Sequence, residues 1–170
     1  VPRLIERGRL GEAWFSPCRR YRYLLTRGPA RGPRVVFVML NPSTADADRS
    51  DPTITRATGF AARLATERGW AAPRLEIVNL FALRATDPRA LRRARDPVGP
   101  DDDAILDARC ARAALIVCAW GVHGALADRG DAVRARLRAA GRALHHLGLT
   151  RGGHPRHPLY LAASTPLSPW

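Results

Sequence analysis

Val35-Val36-Phe37-Val38-Met39-Leu40-Asn41-Pro42-Ser43-Thr44-Ala45-Asp46 is the stretch on which the fold turns. Residues 35–40 are an unbroken apolar run, too short for a membrane span and rich in β-branched side chains, so they read as a strand buried on both faces. The run stops at Asn41-Pro42, because proline cannot donate to a β-ladder. Asn41, Pro42, Ser43, Thr44 and Asp46 therefore sit just past a strand's carboxyl end, which is where open α/β sheets bind their ligands. An ordinary strand-to-helix turn with capping side chains would read the same way.

Upstream, Tyr21-Arg22-Tyr23-Leu24-Leu25 spaces β-favouring aromatics by two and predicts an antiparallel or edge strand, with Arg19, Arg20 and Arg22 guarding the edge. Residues 1–17 read as an N-terminal arm whose one apolar knot is Ala13-Trp14-Phe15. Downstream, Asp51-Pro52 opens a helix, with Asp51 as N-cap and Pro52 at the first helical position. That helix runs over 53–68 and buries Ile54, Ala57, Ala61 and Leu64. Residues 75–80 and 115–119 are further buried strands, 131–140 is a helix, and 142–147 is a fourth strand. Asp101-Asp102-Asp103 starts another helix, where carboxylates complement the positive end of the dipole, and this leaves no call for a metal. The alternation predicts one α/β domain over residues 1–170, with 162–170 as a C-terminal tail. Its expected architecture is three-layer αβα around a mostly parallel central sheet of about four to five strands.

The formal net charge is +13, and all 28 basic residues are arginine, with no lysine and no glutamine anywhere in the chain. Such a composition is what GC-rich codons would impose, yet the positive field is physically real and attracts phosphates whatever its origin. The same bias makes Asn informative, since only Asn41 and Asn79 occur. Both close apolar runs, which suggests that a neutral amide is needed at equivalent strand ends, although Asn is also a common turn former. Cys18, Cys110 and Cys118 are odd in number and lack metal-ligand spacing, so they read as reduced thiols in a cytoplasmic protein. No apolar segment of transmembrane length is present, and nothing in the pattern calls for a membrane, a cofactor or an obligate protein partner.

Asn41, Asp46 and Asn79 lie at strand ends, and His154 and His157 lie in the late loop Gly152-Gly153-His154-Pro155-Arg156-His157-Pro158. There is no P-loop and no G-x-S-x-G. Amides, acids and imidazoles together suit a small heterocycle held by its hydrogen-bonding edge, because an amide offers a donor and an acceptor side by side.

Phe15-Ser16-Pro17, Tyr21-Arg22-Tyr23, 39–46, Asp51-Pro52-Thr53, Val78-Asn79-Leu80-Phe81-Ala82, Ala119-Trp120-Gly121 and His157-Pro158-Leu159-Tyr160 resemble the family called domain of unknown function 1643. More distantly, the order of these motifs is similar to that of the uracil-DNA glycosylase superfamily. That resemblance implies a uracil-DNA glycosylase-like fold and hydrolysis of a nucleobase N-glycosidic bond in a nucleic acid or a modified nucleotide. It makes Asn41, with Asp46, the water-positioning group, Asn79 the base-reading amide and His157 the imidazole that stabilises the leaving base. Pro42, Ser43, Thr44, Phe81 and His154 would then surround the base, with His154-Pro155 an alternative register for the histidine loop. The competing expectation is a non-catalytic nucleic-acid or nucleotide-binding module.

Overall fold

The apolar run forms β4 (Arg34–Met39) at the centre of a single sheet. The computed structural model describes residues 3–170; the first two residues of the expected arm lie outside the described residues. Parallel neighbours flank β4 on both sides, β5 (Arg74–Asn79) and β6 (Leu115–Cys118), and β7 (Leu144–His146) pairs parallel with β6. Beyond β5 the sheet continues through β3 (Arg22–Arg27), β2 (Glu12–Phe15) and β1 (Leu4–Arg7), each pairing antiparallel with its neighbour. At the far side β8 (Ser168–Pro169) pairs antiparallel with β7.

The result corrects the expected architecture. The chain forms an eight-stranded mixed sheet in the order β1-β2-β3-β5-β4-β6-β7-β8, and antiparallel pairings outnumber parallel ones. It is not a mostly parallel sheet of four to five strands in αβα layers, nor uracil-DNA glycosylase-like in that sense. The physical reason lies in the added strands. Leu4-Ile5-Glu6-Arg7 and Glu12-Ala13-Trp14-Phe15 have no continuous apolar run, because an antiparallel strand near an edge need bury only part of itself. The stretch expected as an arm therefore supplies two strands, and the expected tail supplies a third.

Among the described residues four α-helices serve the sheet: α1 (Pro52–Glu67), α2 (Arg89–Arg93), α3 (Asp102–Cys110) and α4 (Arg129–Ala139). Two short 3₁₀ segments, Val122–Asp128 and Pro158–Tyr160, complete the regular structure. Strand alternation divides the core. Val35, Phe37 and Met39 of β4 face Ile54, Ala57, Phe60, Ala61 and Leu64 of α1. Val36 and Val38 join Ile105 and Leu106 of α3 and Val133 and Leu137 of α4 in a second cluster. Each fully buried large apolar side chain in these clusters contributes about 1.5–3 kcal/mol.

One charge lies inside this frame. Glu76 of β5 is fully buried, with Arg74 at 3.0 Å, Arg34 at 3.4 Å and Arg109 at 3.7 Å. Asp103 ties α3 to α4 through Arg129 at 2.6 Å and Arg136 at 2.7 Å. Burial pushes the carboxyl of Asp102 well above the usual carboxylate range, with Arg129 pulling it the other way. The acidic triple is thus part of helix-to-helix packing.

Candidate functional site

Past the carboxyl ends of β4, β5 and β6 opens a cavity of about 480 Å³. Met39 and Asn79 stand opposite each other in the β4–β5 register, and both line it. Asp51, Thr53 and Ile54 bring the start of α1 to the cavity, Trp120 and Gly121 follow β6, and His157 and Tyr160 come from the late loop.

Asn79 is the last residue of β5 and is 1% exposed. Its Nδ2 is buried and has no hydrogen-bond partner among the described residues. A buried donor left alone costs about 1–3 kcal/mol, so a native chain rarely keeps one without a use for it. Asn41 is disposed differently. Its Nδ2 donates to the carbonyls of Pro42 at 3.0 Å and Ala85 at 2.8 Å, which fixes the amide and leaves Oδ1 as its remaining polar atom. Ala85 N–H in turn donates to the Pro42 carbonyl at 2.9 Å, so the strand-end loops after β4 and β5 are joined.

His157 caps the 3₁₀ turn Pro158–Tyr160, accepting the Leu159 N–H at Nδ1 over 3.4 Å. A neutral ring that accepts at Nδ1 carries its proton on Nε2 and is there a donor. Burial keeps the ring below the ordinary value of 6.5, against the pull of the Asp51 carboxylate. The loop is brought in by Gly121, whose N–H donates to the Pro155 carbonyl at 2.8 Å. Gly121 has φ 72°, a conformation that L side chains rarely adopt, and a Cβ there would come within 3.5 Å of the His157 Cβ.

The sign of the His157 shift sets a pH effect. The unfolded chain binds this proton at higher pH than the folded one, so the contribution to stability is lost as pH falls below about 6.5 toward the depressed folded value. The urea midpoint of the parent should therefore drop more steeply than that of His157→Asn between pH 7 and pH 5. Parallel curves for the two would remove His157 from this role.

Of the residues singled out in the sequence, Asn41, Ser43, Asn79 and His157 line the cavity together. Pro42 is buried beside it and contributes its carbonyl, whereas Thr44 is exposed. Asp46 does not line it. Its carboxylate accepts the N–H groups of Asp48 at 3.0 Å and Arg49 at 2.9 Å and so shapes the loop before α1. Phe81 is buried in the cluster under α3, on the opposite side of the sheet from α1. His154 closes a local turn, its N–H donating to Thr150 Oγ1 at 3.1 Å, and is absent from the cavity wall.

Sequence reasoning missed Arg22. Its side chain lines the cavity, is 2% exposed, and donates to the Ala45 carbonyl at 2.6 Å. Among the described residues no carboxylate lies within 4.0 Å of it, and its Nε has no partner. Burial pulls the guanidinium down to about 10, which leaves it charged at neutral pH. Its setting between Tyr21 and Tyr23, before Leu24-Leu25, was the available signal, since an arginine amid buried neighbours must find a use inside. Asp51 was read only as the N-cap, and it is one, accepting the Ile54 N–H at 2.9 Å, but it also lines the cavity.

A mixed sheet with helices packed on it and a cavity at the carboxyl ends of its parallel strands defines an α/β protein of open-sheet type. The chain belongs to the family described as a protein of unknown function (DUF1643), which it matches over residues 22–159. No curated protein and no solved structure matches it. No helix among the described residues is long and apolar enough to cross a membrane.

Proposed function

We propose that the cavity holds a nucleobase by its hydrogen-bonding edge and hydrolyses the bond joining that base to its sugar. The observation that carries this reading is the lone buried Nδ2 of Asn79, a donor with no partner among the described residues at the end of β5. A base carbonyl or ring nitrogen would satisfy it. Around it the chemistry divides between two groups. Asn41, its NH₂ fixed on two backbone carbonyls, orients a water through Oδ1. His157 donates from Nε2 to the base as negative charge develops on it. The water oxygen bonds to the anomeric carbon, the C–N bond breaks with its electron pair passing to the base, and the water's proton ends on the departed base. The motif order read in the sequence, which resembles that of the uracil-DNA glycosylase superfamily, gives Asn41, Asn79 and His157 the same roles.

The second reading, a binding module without turnover, is favoured by the position of Asp46, whose carboxylate is engaged in its own turn. One experiment separates the two. The protein is incubated with nucleosides, nucleotides and oligonucleotides bearing uracil, hypoxanthine, xanthine and modified pyrimidines, and free base is measured chromatographically. Release of a base, lost in His157→Asn, is expected. Binding of a base-containing ligand without release on any substrate would select the module.

A further inference from the structure

The wall of the cavity that sequence reasoning missed carries a buried cation with Asp51 and Asp46 acting on it only from beyond contact distance, and nothing in the hydrolysis described above uses it. Arg22 is 2% exposed and without a carboxylate partner within 4.0 Å among the described residues. Its one side-chain hydrogen bond goes to a neutral acceptor, the Ala45 carbonyl. A charge taken out of water in this way is strongly unfavourable unless something of opposite sign comes to it. The second feature is α1, which aims its amino end at the same cavity through Asp51, Thr53 and Ile54. This helix has 16 residues and no acidic residue in its first turn. The Ile54 N–H is taken by Asp51, while that of Thr53 precedes any intrahelical acceptor. Helix dipole and free amide together favour an anion there. Arg156, exposed at the cavity wall, adds a further positive charge, set against the single carboxylate of Asp51.

We propose that Arg22 and the amino end of α1 form a phosphate subsite, and that the ligand of the cavity is a mononucleotide with a terminal phosphate. The identity of its other half as a base rests on the reading of Asn79 given above. A terminal phosphate fits this place better than a phosphate within a polymer. Contact with so deeply buried a guanidinium requires the phosphate itself to enter the cavity, and an internal phosphodiester would need two chain exits. A cavity of about 480 Å³ is of the size that takes a small ligand whole.

Calorimetric titration with inorganic phosphate, a nucleoside panel and the matching 5′-monophosphates tests this. Monophosphates are expected to bind about 10–150-fold tighter than their nucleosides, the range for a hydrogen bond to a charged group. Arg22→Met should bring that ratio to about one and abolish phosphate binding, while its unfolding midpoint in ligand-free buffer changes little, the lost hydrogen bond to the Ala45 carbonyl being offset by removal of an unpaired buried charge. A purely structural arginine would give the reverse, a marked loss of stability with the ratio intact, and that result would overturn the subsite. Should Arg22→Met not fold, Arg22→Lys keeps the charge and should still lower the ratio, and an unchanged ratio would refute the proposal. Phosphate binding lost in the Arg22 variant but kept in Asn79→Leu, with no nucleoside bound by the parent, would uphold the anion subsite and reject the base reading. Equal affinity for nucleoside and monophosphate, or no binding of any phosphate compound, would reject the subsite.

Discussion

Asn79→Leu is expected to lower kcat/KM for base release by about 10²–10³-fold, the loss typical of removing one preorganised donor from a reacting centre. The same change should leave the fold as stable as the parent or slightly more so. The two expectations have one cause. Nδ2 of Asn79 is buried without a partner among the described residues, so the empty protein bears the desolvation of a donor that a ligand would relieve. Leucine keeps the branching of asparagine, its bulkier methyls have the cavity that Asn79 lines to extend into, and the neighbours Ile77 and Met39 are themselves apolar and buried. Urea unfolding followed by circular dichroism gives the stability, and chromatographic release of free base gives the rate. A variant that loses stability while keeping its activity would show that the amide serves the fold.

Glu76→Gln should have the opposite profile, a large loss of stability with the cavity's contacts intact. Its carboxylate is fully buried amid Arg34, Arg74 and Arg109, and the last two are themselves largely enclosed. Removing the charge leaves buried guanidinium groups facing one another, a change that costs about 3–5 kcal/mol in comparable sites. Against a total stability of about 5–15 kcal/mol for a domain, that is enough to move the urea midpoint far from the parent's. Glu76 and Asn79 are three residues apart on β5 and so point to opposite faces of the sheet. Nucleoside affinity, measured where the variant is still folded, should therefore change little. A shift in stability below about 1 kcal/mol would mean that the arginines are solvated well enough not to need Glu76.

The sequence disclosed those parts of the molecule whose burial is symmetric. β4, β5 and β6 are covered on both faces and appear as apolar runs, and Asp51-Pro52 announced α1 because N-cap chemistry is local. β1, β2 and β8 stayed hidden, since short antiparallel strands carry neither a run nor a long alternation. β3 is antiparallel as expected, but its place in the sheet differs from the edge position that its charges suggested. Arg22 read as edge protection together with Arg19 and Arg20, but the strand lies between β2 and β5, and the Arg22 guanidinium turns inward while Arg19 and Arg20 stay exposed. The polar groups of the site divide in the same manner. Asn41 and Asn79 reach the cavity from the strand ends that the apolar runs marked, and His157 from a loop that only its His-Pro motif singled out, whereas the place of Asp46 depended on two backbone amides of its own loop. Phe81 lay beyond the last paired residue of β5, where alternation no longer says which face a side chain takes.

Arg27, at the end of β3, donates to the carbonyls of Asp46 and Arg49, each at 2.8 Å, and to Ser50 Oγ at 3.0 Å. Arg22 holds Ala45 of the same loop. The loop that carries the chain from Asn41 into α1 is thus ordered when the protein folds, before any ligand arrives. Ligands of different strength should consequently share nearly one association rate and differ in how long they stay, because none of them has to assemble the surface it meets.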